Sequence, residues 1–253
     1  MRLNAVELGE GPPLVLLHGL FGQAANFGGV QKVLAAAGRR VLALDLRNHG
    51  ASPHDAAMDY AAMAADVAET LAALGVASAD VVGHSMGGKV AMMLALSRPA
   101  TVSRLVVVDI APVAYPPAFR PYAEAMLALP LSPGLTRRQA DAALAAAVPA
   151  AGVRGFLLQN LDFTGPSWRI GLRETATALP AIEAAPEFPP GARYDGPVLV
   201  LSGESSDYVR DEHRAMFRAL FPAVRFGRVK NAGHWVHAEQ PAGFLAALGA
   251  FLG

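Results

Sequence analysis

Residues 83–88 read GHSMGG, and they stand between the apolar run ADVVG at 79–83 and the run KVAMMLAL at 89–96. The first run has the length and composition of a buried strand and the second those of a helix. The hexapeptide is therefore a strand-to-helix turn with Ser85 at its apex. A serine at such an apex is held in a backbone conformation that non-glycine residues tolerate poorly, and the residues two positions away must be small for strand and helix to approach. Gly83 and Gly87 meet that need. The turn lifts the Ser85 hydroxyl clear of the sheet edge, while the following helix directs free N–H groups and its positive dipole end at the same point. A glycine-rich turn with no chemistry would look the same locally, so the flanking chain has to decide.

Upstream, LVLL at 14–17 reads as a central strand that delivers HGLFG at 18–22. Ligands of open α/β sheets gather beyond the carboxyl ends of strands, which puts this loop beside Ser85. Its expected job is to aim a backbone N–H at a developing oxyanion. One donor comes from Met86, the residue after the nucleophile, and the second from Leu20, with Phe21 as the alternative. Residues 2–8 read as an edge strand, 24–37 as a helix ending near Gly38, 41–46 as a strand running into RNHG at 47–50, and 58–74 as a helix. Asp45, Arg47 and His49 cluster at a strand end, where such residues pin loops by charge-assisted hydrogen bonds.

Downstream, RLVVVDI at 104–110 is a buried strand ending at Asp109. From Ala111 to about Pro190, prolines at 112, 116, 117, 121, 130, 133, 149, 166, 180, 186, 189 and 190 break the chain into short helical pieces, with no strand-like run. The expectation is a helical cap at 111–190 inserted into a core formed by 1–110 and 191–253, covering Ser85 and shaping an acyl pocket. Candidate lining residues are Phe21, Phe119, Tyr122, Met126, Phe156, Leu157, Phe163, Trp168 and Trp235. The core resumes with PVLVLSG at 197–203, a helix near 211–220, the strand VRFGRV at 224–229, then NAGHWVH at 231–237 and a last helix over 240–252. This alternation gives an α/β class, with a mostly parallel central sheet flanked by helices.

A serine hydroxyl needs a neutral imidazole to take its proton as it attacks. His234, just past a late strand and preceded by a glycine, is the candidate base, whereas His237 opens the last helix and caps or packs. The acid must hydrogen-bond the far imidazole nitrogen, fixing its tautomer. In the commonest arrangement it sits about three residues past the glycine that follows the 197–202 strand, and that slot holds Ser206, with Asp207 one place later and Glu204 two before. Asp109, at the end of the strand after the Ser85 unit, is the other candidate. Geometry of the chain leaves Asp109 and Asp207 both open.

HGLFG at 18–22, DLRNHG at 45–50, GHSMGGKV at 83–90, VVDIAPV at 107–113 and AGHWVHAEQP at 232–241 together resemble the α/β-hydrolases, in the esterase group of bacterial YbfF-type esterases and mitochondrial ABHD eleven. In that group a serine stands where other hydrolases place the acid, and the aspartate of the DIAPV-like segment serves in the triad. GESSDYV at 203–209 aligns Ser206 with that serine and Asp109 with that aspartate, departing by one extra residue after Gly203 and by bringing in Asp207. The resemblance thus implies a Ser85–His234–Asp109 triad supported by Ser206, with Asp207 as alternative acid, and carboxylesterase activity that extends to acyl thioesters. Relatives on this fold also open enol-lactones, cleave carbon–carbon bonds, eliminate small acids as lyase-type synthases, or make peracids. A hydrolase-fold protein that binds without turnover is the reading from another class.

The 253 residues suffice for one large α/β domain with an insertion. Formal net charge is zero with no basic block, so nothing points to nucleic acid or an anionic membrane surface, and a small-molecule ester or thioester is the expected partner. Absence of cysteine excludes disulfides, thiolate metal sites and a cysteine nucleophile. The expected chemistry requires no metal or organic cofactor. MRLNAVELG lacks the apolar core of a signal peptide, which makes cytoplasmic the expectation. Apolar stretches are interrupted before the ~18–20 residues needed to span a bilayer.

Overall fold

The computed structural model describes residues 1–253. The chain opens with β1 (Ala5–Leu8), β2 (Pro13–Leu17), α1 (Gly28–Ala36), β3 (Arg40–Leu44), α2 (Tyr60–Ala73), β4 (Ala79–His84), α3 (Met86–Ser97) and β5 (Val102–Val108). A mainly helical stretch follows, with α4 (Arg120–Ala128), α5 (Arg137–Leu144), α6 (Ala151–Leu157), the two-residue strands β6 (Leu161–Asp162) and β7 (Ser167–Trp168), and α7 (Leu172–Glu183). The chain closes with β8 (Val198–Gly203), α8 (Arg214–Leu220), β9 (Val224–Val229), α9 (Val236–Glu239) and α10 (Pro241–Leu252).

Seven strands form one sheet in the order β1-β3-β2-β4-β5-β8-β9. Only β1 runs antiparallel to its neighbour. The central strands carry near-continuous apolar runs, LVLL in β2 and LVVV in β5, because both faces are covered. Val15, Leu17, Val81, Val107 and Val200 pack with α2 and α3 on one face, while Leu14, Leu16, Val82, Val106, Val108 and Leu201 pack with α1 and α10 on the other. Alternation along each strand sorts these residues, so a slip of one position would invert both cores.

Register also sets the site. Leu17 pairs with Gly83, His84 with Val108, and Val108 with Leu201, so β2, β4 and β5 end within a residue of one another and β8 runs two residues beyond. The residues that follow them, His18, Ser85, Asp109 and the loop after Gly203, therefore emerge along one edge.

Two details differ from the sequence reading. The 24–37 segment begins as a 3-10 turn over Ala24–Phe27 before α1 starts. Residues 111–190 do contain strand, since Leu161 pairs with Trp168 and Asp162 with Ser167 in a small hairpin. Two residues per strand are too few to show a period of two in the sequence. No helix is long and apolar enough to cross a membrane.

Candidate active site

Ser85 takes φ 53° and ψ −121° at the junction of β4 and α3. Its N–H donates to the Val108 carbonyl at 3.0 Å, and its own carbonyl accepts from Gly88 N at 2.8 Å. A Cβ on Gly83 would run into the Gly87 carbonyl oxygen, and a Cβ on Gly87 into the Leu17 and His18 carbonyls. Those clashes are the physical content of the two glycines. The Ser85 side chain opens onto a cavity of about 220 Å³ that His234 also borders.

Asp109 is the next residue held at positive φ, 52°, and its N–H donates to Leu201 O at 3.0 Å. Its carboxylate is fully buried. Oδ2 accepts from His234 Nδ1 at 2.8 Å and from Ser206 Oγ at 2.5 Å, while Oδ1 accepts from Gly203 N at 3.1 Å. With Nδ1 bound as a donor to a carboxylate, the neutral ring presents Nε2 as an acceptor. Asp207 is exposed and pairs with no part of His234; its carbonyl accepts from Arg210 Nε at 3.2 Å. The Ser206 hydroxyl thus faces the buried carboxylate while the Asp207 side chain is exposed. Tyr208 stacks on the His234 ring at 4.1 Å and 24°, and His84 Nε2 donates to the His234 carbonyl at 2.8 Å, so ring and backbone are both fixed.

The loop after β2 is braced by histidines. Phe21 N donates to His49 Nε2 at 3.1 Å, and His49 Nδ1 donates in turn to Arg47 O at 2.9 Å. The Phe21 amide is thereby engaged and is withdrawn as an alternative oxyanion donor; Leu20 precedes it, and Met86 opens α3, where an amide has no intrahelical partner. Asp45 holds the same loop by accepting from Ala24 N at 2.7 Å and Ala51 N at 2.9 Å, and Arg47 Nε pairs with Asp66 at 2.6 Å.

Burial holds four of these rings neutral. It lowers the pKa of His18, takes His84 well below the usual value, and takes His49 down to about 3 and His237 down to about 4. Below pH ~6.5 the unfolded chain binds protons that the folded one refuses, so stability is fully present above that pH and falls as pH drops toward the folded-state values. For His49 and His237, whose folded values lie well below the window, the loss is up to about 1.4 kcal/mol per pH unit each. The urea midpoint should therefore drop sharply between pH 7 and pH 5. A flat midpoint over that range would mean that the rings are not buried as neutral species.

Of the candidate lining residues, Phe21, Phe119, Tyr122, Phe156, Leu157 and Trp235 border the cavity. Met126, Phe163 and Trp168 do not. Met126 is fully buried, and Phe163 and Trp168 pack partly buried against the same apolar core around the β6–β7 hairpin, with Arg137 over the Phe163 ring. Sequence reasoning missed His18, His84 and Tyr208, which also line it. His84 was in plain view inside GHSMGG, and Tyr208 follows the Ser206–Asp207 pair.

The sequence model of the alpha/beta hydrolase fold matches residues 12–241. The chain belongs to the α/β-hydrolase family. Among relatives of this α/β-hydrolase, the mouse protein named sn-1-specific diacylglycerol lipase ABHD11 is 44% identical over 250 residues, spanning 95% of this chain and 81% of the relative. Escherichia coli esterase YbfF is 37% identical over 243 residues, spanning 95% and 92%. Among solved structures, a marine microorganism esterase superimposes on the hydrolase with a TM-score of 0.93 at 31% identity, covering 99% of each chain.

Proposed function

We propose that this α/β-hydrolase is a serine esterase that cleaves carboxylic esters, with acyl thioesters as a second substrate class, through an acyl-enzyme on Ser85. The observation that carries the reading is the buried Asp109 carboxylate bound to His234 Nδ1 at 2.8 Å, which leaves the ring's other nitrogen free beside the cavity that Ser85 shares. The mouse and bacterial relatives named as lipase and esterase support the same reaction class.

In this mechanism His234 Nε2 takes the Ser85 proton as Oγ attacks the carbonyl. The oxyanion rests on the Leu20 and Met86 amides. His234 then hands the proton to the departing alcohol or thiol, and a water repeats the sequence on the acyl-enzyme. Asp109 fixes the ring and stabilises its charged form, and Ser206 holds the carboxylate. Residues 111–190 act as the cap, supplying Phe119, Tyr122 and Phe156 to the cavity over Ser85.

The test is labelling with a fluorophosphonate together with rates on p-nitrophenyl esters. Covalent modification at Ser85 with turnover of short esters is the expected result. Modification without turnover of any ester would transfer the triad to enol-lactone or carbon–carbon cleavage, elimination or perhydrolysis. A folded protein that resists labelling would be a binding protein instead.

A further inference from the structure

Helix α3 carries Lys89 one turn beyond Ser85, and the side chain is 1% exposed. It forms no ion pair with a carboxylate. Nζ donates to the Ala184 carbonyl at 2.7 Å and otherwise meets the ring faces of Tyr60 and Tyr115, 5.4 and 5.0 Å from their centroids. Burying an ammonium is costly, and one carbonyl with two aromatic faces leaves its donors under-used. Burial lowers its pKa to about 8, so most of it is charged at neutral pH. The mechanism above gives it no task.

Lys89 borders a small cavity of about 30 Å³ that also touches Ser85, Leu20, Met86 and Phe119. That volume holds about two water-sized groups. Glu183 lies on the same wall, with its carboxylate engaged by the Ala118 and Phe119 amides at 2.7 and 3.1 Å. His234 does not border this cavity. It borders the larger one, which shares Asn26, Phe156, Trp235 and His237 with an outer groove of about 840 Å³. A leaving group must face the imidazole that protonates it, which assigns the large cavity and groove to the alcohol.

We propose that the small cavity receives the acyl chain and that the Lys89 ammonium selects short acyl groups carrying a neutral oxygen acceptor, an ether, keto or hydroxyl oxygen, at their far end. Glu183 turns away an acyl carboxylate by like-charge repulsion. The proposal rests on Ser85 as nucleophile.

A near-isosteric pair tests it: p-nitrophenyl 3-hydroxypropanoate against p-nitrophenyl butyrate, read as the ratio of kcat/KM values. Intrinsic reactivity cancels when the ratio is compared between proteins. In Lys89→Met the ratio should fall about tenfold, the scale of a hydrogen bond to a charged group. In the unmodified enzyme it should fall similarly as pH rises from about 7 to about 9.5 and the ammonium loses its proton. The groups facing Lys89 are Tyr60 from α2, Tyr115 from the segment after β5, Tyr208 from the loop after β8 and Glu183 from α7. Burial raises all three phenols, so they do not titrate in that window. p-Nitrophenyl octanoate should be turned over at less than about a tenth of the butyrate rate, since a cavity of about 30 Å³ lacks room for the longer chain. A constant ratio across pH, a constant ratio in folded Lys89→Met, or octanoate equal to butyrate overturns the assignment. Should the variant not fold, the pH series decides alone. Loss of the underlying reading looks different: no ester is hydrolysed and Ser85 is not labelled.

Discussion

Ser85→Ala should lower kcat on short p-nitrophenyl esters by about 10⁶-fold, leaving only the residual acceleration that oxyanion donors and binding supply without a nucleophile. The fold should be indifferent to the change. Alanine meets the same steric penalty as serine at φ 53°, and the Ser85 backbone bonds to Val108 and Gly88 do not involve the side chain. Ser85→Gly, by contrast, should be equally inactive yet more stable than Ser85→Ala by about 1–2 kcal/mol, because glycine adopts positive φ freely. Paired urea titrations and rate measurements separate the two effects. Retention of more than about 1% of turnover in the alanine variant would exclude Ser85 as nucleophile, since loss of an acylating serine leaves far less than that.

Asp109→Asn should reduce kcat by about 10⁴-fold. Asparagine tolerates positive φ better than most residues, so the φ of 52° at this position poses no folding obstacle. Gly203 N–H donates to Oδ1, which keeps the amide oxygen on that side and turns the amide NH₂ toward His234. An NH₂ facing Nδ1 forces the proton onto Nε2, and a ring protonated there cannot accept from Ser85. Asp207→Asn should change kcat less than about twofold, because an exposed surface substitution away from the site has little to perturb. If Asp207→Asn were the more damaging of two folded variants, the acid would be Asp207 and the contact to Asp109 merely structural.

The contrast between these two aspartates shows what a linear reading captures. The turn around Ser85 is local: strand, glycines and helix lie within a short stretch, and each carries its own signature. His234 follows a strand in the same legible way. Asp109 and Asp207 lie at the ends of neighbouring strands, and only the pairing of Val108 with Leu201 and the path of the loop through Ser206 decide which carboxylate faces the ring. Aromatic content alone could not separate Phe119, which borders the cavity, from Trp168, which packs elsewhere. Short proline-bounded helices show too few turns for their inner faces to be read. Lys89 stands inside GHSMGGKV without a local signature of its setting, since its neighbours Tyr60, Tyr115 and Ala184 come from three distant parts of the chain.

Strands β5 and β8 lie side by side in the sheet although the whole of α4–α7 separates them in the chain. Because the two strands run parallel, with Leu105 beside Val198 and Val108 beside Leu201, the excursion leaves at one edge of the sheet and returns at the other, its ends separated by about four residues of strand, roughly 14 Å. Loop-closure entropy grows only slowly with length, so the excursion can be shortened, extended or replaced at little cost to the sheet. The excursion's share of the larger cavity, Phe119, Tyr122 and Phe156, can thus change without touching the strands that position Ser85 and Asp109, and grafting a foreign excursion between Asp109 and Val198 is a route to altering that share alone.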